Sequence, residues 1–193
     1  EGFERELWDW LLEKVGPEAR SRFPLDAHSA EALYHYETPP RARLKYLLTM
    51  VLPSALRIEA VHALFERHVG SPRRWAKEWY LGWAELTSMQ RMGHTIGGHG
   101  FLHEPYTNMS LMEARADLGR IATVLRAGLG PDRRPFSYPF GRFDRDIGRA
   151  CKDAGFAEAF TTEEAWVRSR APAHALPRVD TIRVGSFLPE NTL

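Results

Sequence analysis

The chain has almost no cysteine: Cys151 stands alone in 193 residues, so no internal disulfide can form and the redox compartment stays open. It also lacks a charge imbalance. Lys and Arg number 26 against 25 Asp and Glu, a net charge of +1, which gives no electrostatic ground for nucleic acid or an anionic membrane as partner. Long apolar runs are missing. The longest candidate, Leu44 to Leu56, is broken by Lys45 and Pro53 and falls short of the roughly 20 residues of a membrane span. There is no Gly-x-Ser-x-Gly elbow, no phosphate loop, no internal repeat and no low-complexity run. A leader is absent as well. The first residue is Glu, with no charged-then-apolar segment behind it, so the chain reads as a processed product or the ordered part of something longer. The reading is a soluble protein, with the choice between cytoplasm and cell envelope left open.

What is present is enough for a core. With 44% hydrophobic residues, a chain of this length suits one domain, or one domain with a large insertion. The pattern changes near residue 80. Upstream, residues 1–79 read as helices. Phe3, Leu7, Trp10, Leu11 and Val15 recur at helical spacing before Gly16-Pro17, and further helices are predicted over 27–36, 41–51 and 54–69. Downstream, residues 80–193 alternate. Helices are predicted over 83–92, 110–128 and 144–154. Ser110 and Glu113 form a capping box, and Asp144 is an N-cap. Short strands are predicted over 94–98, 135–139, 156–162 and 176–184. Helices between short strands imply βα units in a parallel sheet or barrel, an α/β class.

His99 and His103 are an i, i+4 pair among Gly97, Gly98 and Gly100. Imidazoles at this spacing can reach one metal ion, and glycines let the backbone approach a ligand or adopt positive φ. Two unconnected surface or core histidines are the competing reading. The groups His28/Glu31/His35 and His62/Glu66/His68 read as solvated helix faces, and Cys151 as a small core residue. Trp79 and Trp83 are four apart, and such a pair packs or stacks on a sugar ring. The segment 134–144, Arg-Pro-Phe-Ser-Tyr-Pro-Phe-Gly-Arg-Phe-Asp, reads as a strand ending in a tight turn before a helix. A backbone N–H at that turn is placed to point into a site.

Together, Gly93-His94-Thr95-Ile96-Gly97-Gly98-His99…His103, the helix from Ser110, and Phe136-Ser137-Tyr138-Pro139-Phe140-Gly141 resemble the polysaccharide deacetylase family, the NodB-homology domain of carbohydrate esterase family 4. Asp153-Ala154-Gly155-Phe156, Phe160-Thr161-Thr162 and Leu176-Pro177-Arg178-Val179 resemble its later helix–strand steps. The likeness covers residues 80 to 180, and residues 1–79 are similar to a helical insertion that some members carry. The resemblance implies the C-terminal part of a deformed (β/α) barrel that removes acetyl groups from an acetylated sugar or polysaccharide with a divalent metal, zinc. It puts metal ligands at His99 and His103, and the oxyanion-binding backbone N–H at Phe140. His174 is the candidate acid. Tyr138 and Trp83 are candidate substrate contacts.

The chain departs from the family at four points. No Asp-Asp dipeptide occurs, Ser137 stands where an Arg is expected, Gly100 follows the first His, and His174 is the only late histidine. The expectation is therefore that a segment ahead of Glu1 supplies the Asp ligand and the base, and that this chain alone holds metal weakly and turns over little. Two alternatives remain open: a non-catalytic binding or structural module that kept the fold, and a hydrolase of non-sugar C–N bonds.

Overall fold

The computed structural model describes residues 2–187. The chain divides after Tyr80 into two compact units, Glu1–Tyr80 and Leu81–Leu193.

The first unit is helical: α1 (Gly2–Val15), α2 (Ala19–Arg22), α3 (Ala27–Leu33), α4 (Pro39–Tyr46), α5 (Ser54–His68) and α6 (Pro72–Trp79). The predicted 41–51 helix starts two residues earlier, with Pro39 and Pro40 in its first turn where no N–H is needed. It ends as a π-helical turn, Leu47–Val51. Thr49 bonds back to the Lys45 carbonyl and accepts from the Tyr34 hydroxyl at 2.8 Å. Pro53 then holds Leu52 extended and stops the helix. Leu7, Trp8 and Leu11 of α1 meet Phe23, Leu47, Leu52 and Ala60 in one apolar cluster. Helix α6 was not predicted; its signal was Ser71-Pro72, an N-cap followed by proline.

The second unit holds α7 (Trp83–Arg91), α8 (Leu111–Leu129), β1 (Phe136–Ser137), α9 (Arg145–Asp153) and β2 (Ala159–Phe160). Strands β1 and β2 pair in parallel. Single bridges extend the ladder on both sides, Gly98 to Phe136 and Phe160 to Leu176, both parallel. The order along the sheet is thus 98, 136, 159, 176, which is also the chain order. Helix α8 lies between the first and second of these positions, and α9 between the second and third. The core is the contact of these helices with the sheet: Leu118, Ile121 and Ala122 of α8, Ile147, Ala150 and Cys151 of α9, and Phe136, Tyr138, Phe156 and Ala159.

This βα succession is of the predicted class, but the described residues form a two-stranded sheet and not a barrel. The 94–98 strand contributes only Gly98. The predicted 176–184 strand is likewise not formed beyond the Leu176 bridge. Asp180 accepts the Ile182 N–H at 3.0 Å and starts a 3₁₀ turn over Thr181–Phe187. A side chain that bonds its own backbone two residues on offers the chain a turn in place of a ladder. Among the described residues no helix is long and apolar enough to cross a membrane.

Candidate functional site

In a parallel ladder all carboxyl ends lie at one edge. Gly98 accepts the Ser137 N–H at 2.9 Å, and Tyr138 donates to Phe160 at 3.1 Å. The residues that follow, His99, Phe140 and Thr162, therefore emerge on the same edge. Gly98 is required by packing: a Cβ there would lie 2.8 Å from the Phe136 ring and 3.0 Å from Ile121.

His99 and His103 come together. Their ring centroids are 4.9 Å apart at 67°, and the His103 ring meets Phe140 at 5.0 Å and 61°. The His99 Nδ1–H donates to the Ser137 carbonyl at 2.8 Å. A carbonyl only accepts, so this bond fixes the tautomer and leaves Nε2 with its lone pair. Ser137 thus serves the site through its main chain, at the position where the family resemblance called for an Arg side chain. Both His103 and Phe140 have left-handed backbones, φ 53° and 57°, the two non-glycine residues among those described to do so. Both imidazoles are exposed.

The donor set fits part of a metal site. His99 Nε2 is presented for ligation and His103 is beside it. Among the described residues, however, no group of three or more His, Cys, Asp or Glu is placed to hold an ion.

The other predicted residues lie elsewhere. Tyr138 is fully buried and stacks on Phe143 at 4.8 Å, with its hydroxyl on the His174 carbonyl at 3.0 Å. Burial pushes its phenol far above the ordinary range. It is a core residue, not a substrate contact. The His174 ring bonds the Phe156 carbonyl at 3.1 Å through Nε2. Phe156 precedes β2, so this ring sits toward the amino ends of the strands, away from the histidine pair. That placement removes it as the acid. Trp83 packs on the end of α8, where a Cβ on Gly128 would fall 2.2 Å from its ring, again toward the amino ends. Trp79 packs on Trp75 at 4.8 Å and stays 60% exposed.

One group escaped the sequence reading. Asp117 on α8 accepts the Phe101 N–H at 3.2 Å and the Tyr106 hydroxyl at 2.5 Å. Tyr106 is fully buried. Burial and the Asp117 carboxylate raise its phenol far above the usual range, so it stays a donor. The sequence signal was faint: Asp117 lies four residues after the capping Glu113, on the helix face nearest the loop.

The sequence model of the family described as polysaccharide deacetylase matches residues 54–159. No curated protein matches. Among solved structures, the chain is similar to the deacetylase domain of BpsB from Bordetella bronchiseptica (18% identity, TM-score 0.47, 52% of this chain and 49% of that one). A de-N-acetylase from Aggregatibacter actinomycetemcomitans matches to the same degree (18%, 0.47, 56% and 53%). The deacetylase PplD of Streptococcus pyogenes, solved with acetate, covers more (14%, 0.50, 92% and 78%), a likeness of fold. The chain spans about half the length of the first two.

Proposed function

Because the chain belongs to the polysaccharide deacetylase family, we propose that it works as a metal-dependent hydrolase removing acetyl groups, as amide or ester, from an acetylated sugar or polysaccharide. The observation that carries this reading is the His99–His103–Phe140 cluster at the carboxyl edge, with His99 Nδ1 held by Ser137. His99 and His103 are the proposed ligands of a divalent ion, zinc. Such an ion, when bound, polarises the acetyl carbonyl and acidifies a water.

The chain's own residues do the rest of the proposed work. Ser137 orients the His99 ring so that Nε2 faces outward. The Phe140 turn offers its main-chain N–H to the oxygen that gains charge as water adds to the carbonyl. A fixed dipole of this kind needs no reorganisation during the step. The left-handed conformation of Phe140 supports this role, since strained backbone persists where the surroundings over-determine it. A full site also needs a carboxylate ligand and a base, and the described residues group neither with the imidazoles.

The test is metal content by elemental analysis, with acetate release from N-acetylated and O-acetylated glycans. His99→Ala and His103→Ala should each lower metal retention by about tenfold or more. Unchanged metal content in both variants would end the hydrolase reading. Metal retained without acetate release from any glycan favours a binding module, and release from non-sugar amides alone favours a different C–N hydrolase.

A further inference from the structure

We infer that Asp117 is the positioning residue of this site: from α8 its carboxylate ties both ends of the loop that carries His103, and so sets where the second imidazole stands. The inference rests on the metal-binding reading above. His103 sits midway between Phe101 and Tyr106. One carboxylate oxygen of Asp117, Oδ2, accepts from both, from the Phe101 N–H at 3.2 Å and from the Tyr106 hydroxyl at 2.5 Å.

The two donors differ in what anchors them. Tyr106 is fixed from below, fully buried with its ring edge-on to Phe136 at 5.7 Å and to Tyr138 at 6.3 Å. Phe101 is 43% exposed, and its main-chain N–H is held from α8 by Asp117. Asp117 transfers the fixed point at Tyr106 across to the Phe101 main chain. Arg120, one turn on along α8, adds a second hold, its guanidinium 3.4 Å from the centre of the Phe101 ring. The helix itself is pinned at its start by the Ser110–Glu113 capping box.

Closing the loop from both ends explains how His103 keeps a φ of 53°. A left-handed histidine relaxes if its flanks are free. Its ring would then leave the 4.9 Å approach to His99. His99 is held separately by Ser137. The two imidazoles therefore depend on different anchors, and Asp117 governs only one of them.

The experiment is a Zn²⁺ titration of the full chain followed by the imidazole ¹⁵N shifts of His99 and His103. It is run on wild type, Asp117→Ala, Asp117→Glu and Tyr106→Phe, at a temperature where circular dichroism shows each one folded. Wild type should shift both rings together. Asp117→Ala should weaken affinity by about tenfold, as loss of a supporting partner does at metal sites. In that variant the His103 response should fade while that of His99 persists, and Asp117→Glu should restore most of both. Where Asp117→Ala fails to fold, Tyr106→Phe carries the test, because it removes one donor and keeps the bond to Phe101; a weaker His103 response is expected there. A purely structural role would lower thermal stability and leave affinity and both rings unchanged, and that result overturns the inference while the metal reading stands. No response of either ring in wild type would instead overturn the metal reading, and the inference with it.

Discussion

At His103 and Phe140 the backbone takes φ values of 53° and 57°, a conformation that costs a residue bearing a side chain about 1–2 kcal/mol. Neighbouring contacts must hold each in place. For Phe140 the neighbour is Gly141, itself at φ 65° and pressed against β2's exit. A Cβ there would fall 2.1 Å from Thr162 Oγ1 and 2.6 Å from the Thr162 backbone nitrogen. Thr162 also donates to the Phe140 carbonyl at 3.4 Å. Gly141→Ala should therefore destabilise the chain by roughly 2–4 kcal/mol, read from denaturant unfolding. A loss below about 1 kcal/mol would mean that the turn and Thr162 separate freely. At this scale the sequence was legible as chemistry and not as conformation. The i, i+4 histidines and the Pro-Phe-Gly turn were visible as residue types. The left-handed φ at His103 and Phe140, and the carbonyl of Ser137 as the orienting group, were not, because each depends on contacts between separate segments: Ser137 lies 38 residues from His99, Thr162 lies 22 from Phe140, and Asp117 lies 16 from Phe101.

Helix α8 shows why the helices were readable and the strands were not. Its start is written locally: Ser110 accepts the Glu113 N–H at 3.3 Å, and Glu113 accepts the Ser110 N–H at 2.8 Å. The same pair holds the Glu113 carboxyl below its ordinary pKa, mainly through the Ser110 hydroxyl. Ser110→Ala should cost about 1 kcal/mol, seen as a melting midpoint lower by about 5 °C for a unit of this size. An unchanged midpoint would show that packing alone fixes the helix. Strands β1 and β2 carry no such local record. Each is two residues long, and each exists because Phe136 and Ala159 meet across α9. A run of β-branched residues such as Val179 to Val184 suggests a strand equally well, and Asp180 turns it into a 3₁₀ segment instead. Tyr138 failed as a substrate contact for a related reason. An aromatic beside a motif looks the same in sequence whether it faces solvent or core, and only the packing of α8 and α9 decides: Tyr138 is fully buried, whereas Trp83, with one edge on Gly128, stays 47% exposed.

At the scale of the whole chain, the change of pattern near residue 80 coincides with the division after Tyr80. Tyr80 and Leu81 are 76% and 57% exposed. Brief chymotrypsin treatment should cut there first and leave two fragments that keep helical circular dichroism; early cutting inside α5 or α8 would contradict two self-contained cores. The second unit also carries an alkaline weakness. Its core buries Tyr106, Tyr138 and Cys151 in one cluster. Burial pushes the Cys151 thiol up to about 12, with the Tyr138 hydroxyl pulling slightly the other way, and raises both phenols further. A group whose folded pKa lies above its unfolded value stabilises fully below the unfolded value. That contribution is lost as pH rises through the interval between the two. For Cys151 the interval opens near 9 and closes near 12; the phenols join from about 10 upward. Stability should thus be flat from neutral pH to about 9 and then fall by up to ~1.4 kcal/mol per pH unit through the thiol alone. Cys151→Ala makes a small cavity but removes the titrating group, so its stability, lower at neutral pH, should stay level up to about pH 10. Unfolding curves collected from pH 7 to 11 decide this: parallel losses in wild type and variant between 9 and 10 would assign the weakness to some group other than the buried thiol.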